Sequence, residues 1–185
     1  CCPDLLNPLG QERALRLGEW FEDRRIAQTI THVLASHKVR TAQTVFYVAQ
    51  KAGLGGDVDQ NPGDGVLQIP WNRAECESGF GSSASARAPM IAAISALPFG
   101  SKAVVANHSN NLYPIMEAFG IDTSDPVKFP RNASGSVEGF NNLWVIEIDA
   151  GGHGTFREHV ILNLSLMPSA SQREGGHSYG WGRDH

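Results

Sequence analysis

Cysteine is scarce in this chain of 185 residues, which has three: Cys1, Cys2 and Cys76. That is too few for a disulfide framework, and no Cys-x-x-Cys or Cys/His spacing offers a ligand set, so no metal and no cofactor is expected. Charge of one sign is lacking as well. Fifteen Lys and Arg stand against nineteen Asp and Glu, a formal net charge of -4, and neither sign gathers into blocks. Nucleic-acid binding needs a basic patch or stripe, so nucleic acid is not the expected partner. No run approaches the roughly 18 consecutive apolar residues of a spanning helix, which removes a membrane-embedded segment from the expectations. Internal repeats are missing too. What is present, 41% hydrophobic and 18% charged residues, suits a single globular domain with a sizeable core rather than a disordered chain.

The element signals alternate. Asn7 is a candidate N-cap with Pro8 in the first helical position, and Ala14, Leu17, Gly18 and Phe21 follow at helical spacing, so a helix is expected over about 8–26. Thr31 to Ser36 is a short β-branched and apolar run of strand length, followed by a helical stretch from Thr41 to Ala52. Val66 to Ile69 reads as a strand, and Ala84 to Leu97 as a helix with Ala88, Ile91, Ala92 and Ser95 on its inner stripe. Lys102 to Asn107 is a continuous small and β-branched run of the kind buried on both faces of a sheet, with a helix from about Asn110 to Phe119 behind it. After a long connection, Asn142 to Asp149 and Thr155 to Leu164 suit a hairpin across Ala150 to Gly154. This order predicts an α/β fold, a three-layer α/β/α sandwich with a mostly parallel central sheet. One domain over 1–166 and a flexible tail over 167–185 are expected, the tail carrying His177 and His185 without metal-ligand spacing.

Ligands of such sheets bind at the carboxyl ends of the strands. Two strand-to-helix junctions carry polar residues there, Ser36-His37-Lys38-Val39-Arg40-Thr41-Ala42-Gln43-Thr44 and Ala106-Asn107-His108-Ser109-Asn110. Side by side, they would present Arg40, His108 and two helix N-termini to one crevice, the outline of an anion site. A guanidinium matches phosphate oxygens as a planar fork, free amides at a helix start favour an anion, and an imidazole donates a hydrogen bond or moves a proton. His37 reads as an ordinary loop residue at the border of that crevice.

Three blocks in order, Asn7 to Ala14, Ser36 to Thr44 and Val104 to Asn110, resemble successive blocks of the histidine phosphatase superfamily, the phosphoglycerate-mutase-like fold. The second block is similar to the family's Ser-x-x-x-Arg-Thr-x-Gln-Thr signature at Ser36, Arg40, Thr41, Gln43 and Thr44. The resemblance implies that Arg40 binds the transferred phosphate, with Ser36 and Ser109 beside it, and that His108 is the family's second catalytic histidine. It implies no metal. Family members also carry Arg-His-Gly or Arg-His-Ala at the end of a first strand, where the histidine accepts the phosphoryl group, and no Arg-His pair occurs in this chain. The expectation is that this strand and its nucleophile lie upstream of Cys1. Glu75 and Glu77 are the candidates for the general acid that the family often takes from its middle segment.

The implied activity is phosphomonoester hydrolysis through a phosphohistidine, on a phosphorylated small molecule or a phosphoprotein, with a homo-oligomer as a further expected partnership. The short, Gly-rich middle segment fits a phosphatase better than a mutase. The alternative is a non-catalytic binding or self-assembling protein on the same scaffold, its sheet completed by a partner strand. Sequons at Asn107, Asn132 and Asn163, the Cys1-Cys2 pair and the start at Cys1 lean toward a secreted protein over a cytoplasmic one. Of these sequons Asn107 is expected to carry no glycan, because it abuts His108 at a buried strand end.

Overall fold

The computed structural model describes residues 5–55, 66–68 and 87–162. Within them, helix α1 (Pro8–Asp23) leads through a single 3-10 turn, Ala27–Thr29, to strand β1 (His32–Ala35) and helix α2 (Val39–Lys51). Strand β2 (Leu67–Gln68), helix α3 (Arg87–Ser95), strand β3 (Ala103–Ala106) and helix α4 (Leu112–Ala118) follow. The hairpin β4 (Asn142–Ile148) and β5 (Gly154–Ile161) comes last. Cys1, Cys2, Cys76, Glu75, Glu77, Asn163 and the tail expected over 167–185 lie outside the described residues.

Helix α1 starts where its cap chemistry dictates. Asn7 accepts a hydrogen bond from the Gly10 amide through Oδ1 at 2.8 Å, and Pro8 takes the first position, where a missing N–H costs nothing. Its inner face is the expected one, with Ala14, Gly18 and Phe21 buried and Leu17 packed beside them. The stripe of α3 is rotated from the expected one. Met90 is fully buried and Ile91, Ile94 and Leu97 pack around it, while Ala88, Ala92 and Ser95 face outward. Larger apolar side chains bring more area out of water than alanine or serine, so they set the rotation of the helix.

Strands β2, β1 and β3 form a parallel sheet in that order, with Leu34 opposite Leu67 and Val105, and Ala35 opposite Gln68 and Ala106. Successive side chains of β1 leave on opposite faces. Val33 and Ala35 join Phe21, Val45 and Val48 in the cluster under α1 and α2, whereas Leu34 joins Met90, Ile115 and Phe119 under α3 and α4. The fold is therefore a three-layer α/β/α arrangement, as expected. Among the described residues the hairpin pairs only with itself, as a separate antiparallel sheet with a register shift between Val145 and Ile146. Among the described residues β3 has one paired edge and one open edge, and so does β4. Residues of both strands nevertheless border the same cores: Leu143 and Ala106 pack against the cluster that holds Val104, and Ile148 and Val105 against the cluster of Leu34 and Met90.

A third cluster braces the hairpin against the long connection. Tyr113, Met116, Ile121, Phe129 and Val137 are buried there, with Trp144 and Phe156 alongside. The Tyr113 hydroxyl donates to the Pro130 carbonyl at 2.6 Å, and burial raises its pKa above the ordinary tyrosine value, partly offset by the Arg131 guanidinium stacked on its ring. The hairpin turn is held by Asp149, whose Oδ1 accepts the amides of Gly151 and His153 at 2.8 and 2.9 Å. These bonds lower its pKa, with the His153 amide contributing most.

Two predictions follow from this packing. A Cβ built on Gly18 would lie 2.6 Å from the Tyr47 Cβ and 2.9 Å from the Tyr47 carbonyl carbon, so α1 and α2 touch where α1 has no side chain. Gly18→Ala should lower stability by about 1–3 kcal/mol, seen as a reduced urea midpoint; an unchanged midpoint would refute the contact. The second concerns His159, which stacks on Trp144 and meets Asn142 Oδ1 through Nε2 at 2.8 Å. Burial lowers its pKa below the ordinary histidine value. Between the lowered value and the ordinary one of about 6.5, the unfolded chain binds more protons than the folded chain, so stability is lost as pH falls through that window. His159→Gln should flatten the slope of stability against pH there, and an undiminished slope would exclude His159 as its source.

Candidate functional site

Parallel pairing puts the carboxyl ends of β1 and β3 at the same edge of the sheet. The ladder runs one bond beyond the strands, from the Ser36 amide to the Ala106 carbonyl at 3.0 Å. At that edge Ser36 Oγ lies 3.2 Å from His108 Nε2, so two side chains 72 residues apart in sequence meet. The two junctions singled out in the sequence are brought together.

Thr41 Oγ1 lies 2.7 Å from the Lys38 carbonyl, 3.2 Å from the Ser36 carbonyl and 2.7 Å from Ser36 Oγ. A carbonyl can only accept, so the threonine proton serves the carbonyls, of which Lys38 is the nearer. The single proton of Ser36 Oγ goes to Thr41 Oγ1 or to His108 Nε2, according to the His108 tautomer. Ser36 is fully buried and Thr41 nearly so, and buried hydroxyls need such partners.

The backbone of His108 is held separately. Its amide donates to Asn107 Oδ1 at 2.7 Å, and Asn111 Nδ2 donates to the same oxygen at 3.2 Å. Arg87 Nη2 donates to Asn111 Oδ1 at 3.3 Å. An arginine has donors only, so it turns the fully buried Asn111 amide oxygen toward itself and the NH2 group toward Asn107. Arg87 Nε and Asn107 Nδ2 are buried without a hydrogen-bond partner. The enclosed Asn107 nitrogen agrees with the expectation that this sequon carries no glycan.

The remaining expected residues divide. Arg40 sits in the first turn of α2, four residues after Ser36, with its side chain exposed and its carbonyl accepting Thr44 Oγ1 at 2.8 Å. Ser109 is exposed, and its carbonyl accepts the Val137 amide at 3.1 Å, tying the His108 loop to the long connection. Gln43 is nearly buried and accepts the Leu6 amide through Oε1 at 2.8 Å, joining the start of α1 to α2. Of the two helix starts, that of α2 comes at Val39, two residues before the expected Thr41, with Lys38 at the N-cap providing no side-chain cap. Helix α4 has seven residues and begins at Leu112, beyond the His108 turn rather than at Asn110, because the bond from the Asn111 amide to the His108 carbonyl closes a turn first.

Sequence reasoning left His37 at the border of the crevice and missed Arg87 and Asn111. The His37 ring centroid is 5.8 Å from that of His108, with the planes 58° apart. Its signal was its place between the site residue Ser36 and the helix start; Arg87 and Asn111 carried no local pattern at all. No group of three or more His, Cys, Asp or Glu that could hold a metal ion comes together among the described residues.

Among solved structures, that of the protein histidine phosphatase SixA complexed with tungstate is similar to this chain, with a TM-score of 0.47 and 16% sequence identity, covering 85% of this chain and 83% of that one. No protein-family model and no curated protein matches the chain.

Asn111→Ala removes the link between Arg87 and Asn107, taking the acceptor from Arg87 Nη2 and leaving Asn107 Oδ1 with the His108 amide alone. It should cost about 1–3 kcal/mol in a denaturant titration and shift the His108 backbone amide resonance. Retention of that resonance would show that Asn111 does not set the loop.

Proposed function

We propose that this protein hydrolyses phosphomonoesters through a phosphohistidine, its nucleophilic histidine carried on a strand upstream of Cys1. The observation that carries this reading is the contact of Ser36 with His108 at the shared carboxyl edge of β1 and β3. It unites the two blocks that resemble the histidine phosphatase superfamily. The open edges of β3 and β4, whose side chains border the same two cores, support a further strand between them, where its carboxyl end would join the same edge.

The reaction has two displacements. The nucleophilic imidazole nitrogen forms a bond to phosphorus as the bond to the leaving oxygen breaks, and that oxygen takes a proton from Glu75 or Glu77. Water then attacks phosphorus, giving a proton back to that carboxylate, the P–N bond breaks, and inorganic phosphate leaves. Arg40, His108 and Ser109 form the phosphate pocket, with the buried Ser36 holding His108 from behind, and donors held in place before reaction stabilise the charge that builds on the phosphoryl oxygens. The Ser36 and Asn107 bonds limit the movement of His108. Substrates are phosphorylated small molecules or phosphoproteins. The same two open edges favour a second reading, in which a strand of another chain completes the sheet and the protein binds without catalysis.

His108→Ala in the full-length protein should lower kcat/KM on p-nitrophenyl phosphate by about 100- to 1,000-fold. Arg40→Lys should recover only part of what Arg40→Ala loses, because an ammonium lacks the bidentate fork. Turnover unaffected by either change would overturn the assignment, and absence of turnover in an oligomeric wild-type protein would favour the second reading.

A further inference from the structure

His37 lies in the turn between β1 and α2, half-buried between two buried neighbours, Ser36 and Lys38. Its ring is tilted 58° to that of His108 with centroids 5.8 Å apart, although the two residues belong to different strand ends. The β1–β3 register aligns those ends, and His108 is fixed twice over, at Nε2 by Ser36 and at its amide by Asn107. Two imidazoles beside each other gain little as neutral rings and repel when both are charged, whereas an anion between them can accept a hydrogen bond from each. With N–H···O distances of about 2.8 Å, rings this close can reach different oxygens of one tetrahedral anion.

We propose that His37 and His108 form a two-imidazole clamp on the phosphoryl group, making His37 a substrate-contacting residue. The inference rests on the proposed function and extends it: the pocket would hold the anion between two histidine side chains from neighbouring strand ends, with Arg40 as a third donor. A structural role for His37 would instead appear as a lower urea midpoint of the same variants, with phosphate affinity unchanged.

The test is binding of inorganic phosphate to the full-length protein at one fixed pH, read by 31P NMR line broadening, with far-UV circular dichroism confirming the fold of each variant. His37→Phe keeps a ring and removes its donors, and should weaken phosphate affinity about tenfold. His37→Gln, which restores a donor, should fall between His37→Phe and wild type. If the bulkier ring disturbs the fold, His37→Asn against His37→Ala makes the same comparison of donor with no donor. Wild-type affinity in His37→Phe would overturn the clamp. If His108→Ala weakens phosphate while His37→Phe does not, the clamp fails and the phosphate pocket stands; if neither change matters, or the wild type does not bind phosphate, the pocket fails with it.

Discussion

The parallel ladder between β1 and β3 is the constraint on which the rest of the molecule depends. Its register, from His32 opposite Ala103 to Ala35 opposite Ala106, decides which residues emerge together at the carboxyl edge. A slip of one residue would turn Val33 and Ala35 away from α1 and α2 and carry Ser36 away from His108. The burial of β1 on both faces makes such a slip costly, since Leu34 fills one core while Val33 and Ala35 fill the other. The same apolar packing that stabilises the sheet thereby brings two polar side chains together at its carboxyl edge.

Around that ladder the polar contacts form two separate supports. One is the hydroxyl pair of Ser36 and Thr41, which connects the end of β1 to the first turn of α2 and reaches His108 Nε2. The other runs from Arg87 through Asn111 to Asn107 and holds the His108 amide. The first arises within the β1–α2 junction and the second couples α3 to the turn after β3, so the His108 loop is held from both neighbouring layers. Buried networks of this kind fix geometry because each lost bond leaves a polar group unpaired at a cost in free energy, and among the described residues only Arg87 Nε and Asn107 Nδ2 are buried side-chain atoms without a partner. Helix α1 contributes at a distance: its close approach at Gly18 and the Leu6–Gln43 bond hold α2, and hence the Ser36 turn, against the sheet.

Much of this was legible in the sequence. The apolar runs at Val33-Leu34 and Val104-Val105 mark the two strands, of which β1 is buried on both faces and β3 only in part, Asn7-Pro8 marks a helix start, and polar residues at two strand ends mark the edge where a ligand would sit. The rest depended on contacts that no local pattern carries. The rotation of α3 turned on Met90 and Ile94 competing against small residues, a packing result. Arg87 and Asn111 are separated by 24 residues and meet only because α3 and α4 cover the same face of the sheet. The closeness of His37 to His108 depends on strand order, and local sequence holds no information on which strand lies beside β1. The hairpin was readable from its alternation and its Gly-rich turn, but its failure to join the parallel sheet was not.

The central claim is that this edge of the sheet serves phosphoryl transfer through a histidine. The most direct measurement is rapid acid-free quenching of the full-length protein after mixing with a 32P-labelled phosphomonoester, followed by the stability of the protein-bound label. The account predicts label held through a P–N bond, stable in alkali and released in acid. A label stable in acid, or phosphate released with no labelled protein at any time during turnover, would contradict it.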